Sequence, residues 1–390
     1  MTKQLNPLQI VKELMSIPAG SGQEEPVARY IIAHLKKAGL PARHIQRDAA
    51  HRRSHIGGVC GNLIVKLPGT IPGPRVMLMA HMDTVPLCVG ARPRRVGDRM
   101  IPVSPRTALG SDCRSGCAAL LWALAEILRR GLPHPPVTFL WCVQEEIGLV
   151  GARYVDVGKL GRPAMAFNFD GGGADKLIIG ATGADRIAIQ IHGIASHAGV
   201  HPDRGVSAIA IAALAVAELH AGGWHNDVRK GRFRGTSNVG IIRGGEATNV
   251  ITDSLYLKAE ARSHNPAFRR RIVRQFRKAF TQAAKQVRNA EGRRGRVEFE
   301  VIPSYESFEL KKNAPVVLAA SRVIESRGLK PACKISDGGL DANWITRHGI
   351  PTVTLGSGQH NIHTVDEYLD LTEYQDACHI AMKLASERTA

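Results

Sequence analysis

The sequence predicts an α/β fold: a mixed sheet covered by helices on both faces, interrupted by an inserted α+β domain. Three observations carry that prediction. Apolar runs too continuous for half-exposed strands alternate with amphipathic stretches as far as residue 181. From residue 182 the order becomes β-α-β-β-α-β, the ferredoxin-like arrangement. Past residue 303 strand and helix alternate once more, so segments 1–181 and 303–390 are expected to form one domain and 182–302 the inserted one.

Each element has its own signal. Asn6 before Pro7 pairs a cap with a first-turn residue for a helix through Met15, and a second helix from Pro26 is expected to stop at Gly39. NLIVKL (62–67), VMLMA (76–80), VTFLWCV (137–143) and MAFNF (165–169) are buried-strand runs, and residues 115–131 make a helix closed by glycine. In the inserted domain, RIAIQIHGI, TSNVGIIRG, NVITDSLYLKAEAR and RVEFEVIP are strands, while VSAIAIAALAVAEL and residues 266–289 are helices. ACKIS, PTVTLG and a helix from Thr372 complete the chain. No repeat of 20–50 residues is present.

Composition narrows the function classes. With 390 residues, 44% hydrophobic and 22% charged, the chain can bury a large core and divide into about two domains. No run approaches the roughly 20 apolar residues of a membrane span, and MTKQLNPLQIVKELM lacks the apolar centre of a secretion signal. The expected location is the cytoplasm. Seven cysteines, an odd number without paired spacing, fit free thiols in a reducing compartment. A net charge of +18 would suit nucleic acid, acidic membranes or anionic substrates. Its densest stretch is 268–296, where Phe268, Ile272, Phe276 and Phe280 recur at helical spacing between basic residues. That pattern is expected to be a solvated helix face, and nucleic acid is not an expected partner.

Polar clusters follow the predicted strands, where ligands gather in open α/β sheets. VMLMA runs into His81-Met82-Asp83, the loop before the helix at 115 carries Asp112, VTFLWCV runs into Glu145-Glu146, and MAFNF runs into Asp170. A fifth cluster, GSGQHNIHTVDEYL, offers His360 and His363. Each alone has an ordinary explanation as a cap, a turn residue or a core histidine. Together, imidazoles and carboxylates at strand ends are the donor set of a borderline cation such as zinc. Asp83, two residues after His81, suits the carboxylate that holds a ligating histidine's other ring nitrogen.

The motifs AHMDTVP, LGSDCRSG, QEEIGLVGA, SHAGVHPDRGVSAI, EATNVI with EAR, and GLDAN followed by GIPTVTLGSGQHNIHT carry a resemblance over nearly the whole chain. On them the sequence resembles the di-zinc exopeptidases that include peptidase T, glutamate carboxypeptidases, succinyl-diaminopimelate desuccinylase and aminoacylase. NFDGGG, HAGVHPDRGVSAI and EARSH favour the peptidase T-like branch. The resemblance implies two Zn2+ per subunit, with Co2+ or Mn2+ as substitutes. It implies that His81 and Asp170 hold one ion, Glu146 and His363 the other, and that Asp112 bridges them. It further implies that Asp83 orients His81 and that Glu145 is the general base. Two adjacent glutamates make sense there, because neighbours at a strand end point apart, so one can ligate while the other reaches a water. The inserted domain is then a lid and dimerisation domain of a homodimer. Its His197 would reach the partner subunit's active site, and Asn249 and Arg262 would hold the substrate.

The expected reaction is release of the N-terminal residue from short peptides, chiefly tripeptides. An N-acyl-amino-acid amidohydrolase or a carboxypeptidase of the same fold is the alternative. A non-catalytic nucleic-acid-binding protein with a structural zinc is a third reading, opposed by the spare general base. Two departures from the branch stand out. Peptidase T relatives read Asp-Asp-Lys where this chain has Asp112-Cys113-Arg114, which puts a thiol able to compete for metal beside an expected cis peptide. Leu340 replaces the more usual serine or threonine in the GLDAN loop and so removes a hydroxyl donor, which bears on substrate preference.

Overall fold

A computed structural model describes residues 5–387. They divide into two compact units, one comprising the described residues through Gly180 with Glu309–Ser336 and those from Leu340 onward, the other Ala181–Phe308 with Asp337–Gly339.

The first unit is built on a mixed sheet. At its centre Val76–His81 lies between Val137–Cys142 and Met165–Gly171, parallel to both, and Thr352–Gly356 continues the parallel run beyond Met165–Gly171. Leu63–Leu67 adds antiparallel to Val137–Cys142. Successive side chains of a strand point to opposite faces, and here both faces are covered. Leu63, Val65, Leu78, Ala80, Phe139, Trp141, Phe167 and Phe169 pack with residues of helices Pro7–Ser16, Glu25–Lys37, Ser111–Arg130, Pro315–Glu325 and Leu371–Ser386. Ile64, Met77, Met79, Leu140, Cys142 and Ala166 pack on the other side with Ala152, Leu160, Ile345 and Ile350. Burial on both faces is why these strands read as unbroken apolar runs.

Within Ser111–Arg130, Asp112 and Cys113 are non-helical and their peptide bond is cis, so the regular helix runs only beyond them, close to the start the sequence marks at 115. The helix approaches the sheet so closely that a Cβ at Gly116 would stand 2.0 Å from the Phe169 carbonyl oxygen, one residue before Asp170. A small four-stranded sheet of Pro93–Val96, Arg99–Pro102, Gln359–His360 and Tyr368–Asp370 also belongs to this unit. The sequence reading missed its hairpin because RRVGDR carries no alternating apolar face; Arg94, Arg95 and Val96 are exposed.

The second unit is a five-stranded antiparallel sheet in the order Asn226–Lys230, Phe233–Arg243, Ser254–Ser263, Gly183–His192, Arg296–Tyr305. The last four keep the ferredoxin-like order. Asn226–Lys230 is an additional edge strand, hidden in the sequence by the charges that protect an exposed edge. Helices Ala208–Ala221 and Pro266–Gln286 share one core with the sheet, into which Phe268, Ile272, Phe276 and Phe280 project. Arg270, Arg271, Arg274 and Arg277 lie exposed on the opposite side of that helix. Among the described residues no helix is long and apolar enough to cross a membrane.

Candidate metal centre

Three parallel neighbours in the sheet deliver the polar residues side by side. His81 ends Val76–His81, Glu145 and Glu146 follow Val137–Cys142, and Asp170 stands one residue from the end of Met165–Gly171. Asp112 comes from the non-helical first turn of Ser111–Arg130, and His363 from the loop after Gln359–His360, with a left-handed φ of 64°. The His81 Nε2 atom lies 3.1 Å from Asp112 Oδ1 and 3.5 Å from Asp170 Oδ1. The His363 Nε2 atom lies 3.1 Å from Asp112 Oδ2 and 3.1 Å from Glu146 Oε2. Asp112 therefore turns one oxygen toward each imidazole. Two donor groups result, each with atoms within 4.8 Å of one another: His81, Asp112, Cys113 and Asp170 in the first, Asp112, Glu146 and His363 in the second.

Electrostatics test whether cations suit this arrangement. Burial pushes the Asp170 carboxyl up and that of Glu146 up to about 6. For Asp112 burial is outweighed by hydrogen bonds from His363 and His81, and the carboxyl is held below the usual range. Hydrogen bonds to Asp112 and Glu146 raise His363 to about 10. Burial opposes a charge on His81, yet the surrounding acidic groups, Asp170 and Asp112 among them, hold that ring well above its ordinary value. Two imidazoles with raised pKa thus stand among a crowd of buried carboxylates, and such a crowd gains most from bound cations. Imidazole nitrogens and carboxylate oxygens suit zinc and neighbouring divalent ions. Cys113 fits less well, since burial pushes its thiol well up and the sulfur donates to the Phe169 carbonyl at 2.8 Å. The donor set therefore fits two N/O sites that share one carboxylate.

Further side chains hold these residues in place. Asp83, fully buried, accepts the Glu145 N–H (3.0 Å) on Oδ1, and the Glu146 N–H (3.2 Å) and the Ser21 hydroxyl (2.6 Å) on Oδ2. His81 Nδ1 faces the Asp83 carbonyl at 3.1 Å and its Oδ1 at 3.4 Å. Glu24 accepts the Gln144 N–H at 3.0 Å. Gln359, also buried, directs its amide NH2 at Asp112 Oδ1 (3.4 Å) and Asp170 Oδ1 (3.3 Å), while its Oε1 accepts the hydroxyls of Ser115 and Ser357, both at 3.3 Å. The sequence reading missed Ser21, Glu24 and Gln359. Gln359 had a signal, an amide in a glycine-rich loop after a buried strand; Ser21 and Glu24 are distant in sequence and had none. His360 stands apart from the donor groups, bonded to Glu373 at 2.6 Å and stacked on Tyr368. The Glu145 side chain belongs to neither donor group, and burial raises its carboxyl well above the usual range.

The remaining three expected residues lie in the second unit. His197 is exposed, and its Nδ1 accepts the N–H groups of Gly199 (3.2 Å) and Val200 (3.1 Å), which in a neutral ring leaves the proton on Nε2. It bridges to Val250, and the Asn249 carbonyl accepts the Ala198 N–H at 2.8 Å, so His197 and Asn249 share adjoining segments. Arg262 is engaged on both sides of its fork by Glu260, at 2.9 and 3.0 Å.

Comparison with known proteins bears on the family and the fold. Residues 77–387 match the sequence profile of peptidase family M20/M25/M40. The uncharacterized protein YqjE of Bacillus subtilis is 29% identical over 388 residues, covering 99% of each chain. A tripeptidase from Staphylococcus aureus superposes with a TM-score of 0.86 at 29% identity, over 99% of this chain and 98% of that one. Aminopeptidase PepT from Bacillus cereus does so with a TM-score of 0.82, at the same identity and coverage.

Proposed function

Because the chain belongs to peptidase family M20/M25/M40 and is a peptide hydrolase, we propose that it is a di-zinc aminopeptidase that releases the N-terminal residue of tripeptides. The observation that carries this reading is Asp112, whose two oxygens face two separate imidazole-carboxylate groups. Whole-length similarity to a tripeptidase and to an aminopeptidase supports the substrate class. His81 and Asp170 would hold one ion, Glu146 and His363 the other, with Asp112 between them. Bound there, divalent cations supply Lewis acidity that eases loss of a proton from water and polarises the scissile carbonyl. Glu145 takes the proton from the attacking water and returns it to the leaving amine. Its raised pKa, a consequence of burial, lies in the direction a proton-shuttling carboxylate needs. Asp83 keeps the His81 ring turned toward the donor group. Asn249 and Arg262 hold the substrate backbone or carboxylate, which for Arg262 requires exchanging Glu260 for substrate.

A homodimer through the inserted domain is part of the same reading. The helix Ala208–Ala221 is apolar nearly all round, and Ile209, Ala213, Leu214 and Ala217 face outward exposed. Such a surface gains from cover by a second copy. His197, with Nε2 as its free donor, would serve the partner subunit's site by bonding the oxyanion. His197→Ala is accordingly expected to remain dimeric by sedimentation while kcat falls about 100-fold; an unchanged kcat would remove the residue from the site. Residence in the cytoplasm is supported by seven cysteines that form no disulfide.

The deciding experiment is mass spectrometry of the products that zinc-reconstituted protein forms from an equal mixture of a free tripeptide and its N-acetylated form. Release of the first residue from the free tripeptide alone is expected. Deacetylation or trimming from the C-terminus would instead make it an amidohydrolase or a carboxypeptidase.

A further inference from the structure

One buried carboxylate outside the donor groups joins two of the three segments that supply the second site. Ser111–Arg130 opens on Gly110, which has no side chain to cap the helix and sits at φ 80°. The cap comes instead from Glu367, more than 250 residues away in the chain. Its Oε2 accepts the N–H groups of Leu109 (2.8 Å) and Gly110 (2.9 Å), with the Cys88 thiol at 3.8 Å. Its Oε1 accepts the Ser111 hydroxyl (2.6 Å) and the Asp112 N–H (3.2 Å). Backbone N–H groups so clustered at a helix start form an anion-binding concavity, and here the chain's own carboxylate fills it with charge-assisted bonds.

Glu367 follows His363 by four residues. It closes the loop through its own N–H, which donates to the Thr364 carbonyl at 3.2 Å, and it immediately precedes the strand Tyr368–Asp370. One side chain therefore fixes the turn that aims Asp112 and the base of the loop that presents His363. His81 and Asp170 rest on the central strands and need no such tie. By contrast, the His363 side chain is 46% exposed on its loop.

We propose that Glu367 is a positioning residue that ties the base of the His363 loop to the Asp112 turn, so that its loss weakens the Asp112–Glu146–His363 site, which has two ligands on the tied segments, more than the His81–Asp112–Asp170 site, which has one. The inference rests on the two-site reading given above. It concerns a residue that touches neither substrate nor metal, and whose effect passes through the ligands it places.

The test is a Zn2+ titration against a chromophoric chelator, at a temperature where circular dichroism shows the protein folded. Wild-type protein is expected to take up two equivalents. E367Q keeps the shape but turns an NH2 toward N–H donors, and is expected to bind one equivalent about 10- to 100-fold more weakly, the scale seen when a ligand loses its supporting partner, and the other with a clearly smaller loss. S111A, which removes one of the donors and leaves the charge, is expected to shift the same equivalent by a smaller factor. If E367Q does not fold, E367D decides: one methylene shorter, it cannot reach all its donors, and the same unequal loss is expected. Two equivalents bound as in wild type, or both weakened alike, would overturn the inference while leaving the two-site reading intact. Fewer than two equivalents in the wild-type protein would overturn the two-site reading itself.

Discussion

Glu145→Ala is expected to keep both metal sites filled and to lower kcat by about 10²- to 10⁴-fold, the range a general acid–base group contributes. The two adjacent glutamates differ in what they face. Glu146 meets His363 at 3.1 Å and completes a donor group, whereas the Glu145 side chain is in neither group. Their backbones are held independently of the Glu145 side chain, because Asp83 binds both N–H groups. Truncation at 145 is therefore expected to remove the proposed proton carrier and leave the cradle. Metal content by mass spectrometry, measured beside kcat, separates the roles. Glu146→Ala serves as the contrast, with loss of about one equivalent of metal expected. Should Glu145→Ala lose metal to the same extent, Glu145 would be a ligand and the base would have to be sought elsewhere.

How much of this could be read from the chain depends on where each determinant lies. The strands were legible because burial on both faces makes them continuously apolar, and His81, Glu145 and Asp170 were found because a polar residue at the end of such a run stands out. The two donor groups needed all the clusters at once, since Asp112 alone reads as a helix cap, and only the family resemblance implied which residue takes which part. What was not legible was the support. Ser21 reaches Asp83 across 62 residues, and Glu367 reaches the Asp112 turn across 255. A hydrogen bond of that span leaves no periodicity and no spacing behind it. The edge strand Asn226–Lys230 and the hairpin at 93–102 were hidden for a different reason: they bury little, and only burial writes an apolar pattern. Arg262 illustrates the opposite limit, where a residue found by motif turns out to be held by its strand neighbour Glu260.

Asp83→Asn tests the support most directly. The carboxylate takes three donors on two oxygens and stands against His81 Nδ1, all without solvent. Burial opposes its charge, but bonds from His81, Ser21 and the Glu145 N–H hold its pKa below the usual range, so the ionised form is the one the fold selects. Asparagine has the same shape and one acceptor oxygen; its NH2 must face either Glu145 N–H or the pair formed by Glu146 N–H and Ser21 Oγ. At least one buried donor then goes unpaired, at a cost of about 1–3 kcal/mol. Asp83 ties together two adjoining strand ends, one carrying His81 and the other both glutamates, so metal affinity is expected to fall about 10- to 100-fold and kcat with it. Ser21→Ala removes only the hydroxyl and is expected to cost about 1 kcal/mol, with both metals retained. Chemical denaturation of the metal-free proteins, followed by zinc titration, distinguishes the two effects. If Asp83→Asn were less stable yet bound zinc and turned over like wild type, Asp83 would support the fold alone. Joint loss of stability and affinity would instead mean that the bonds aligning the strand end are the ones that aim the ligands.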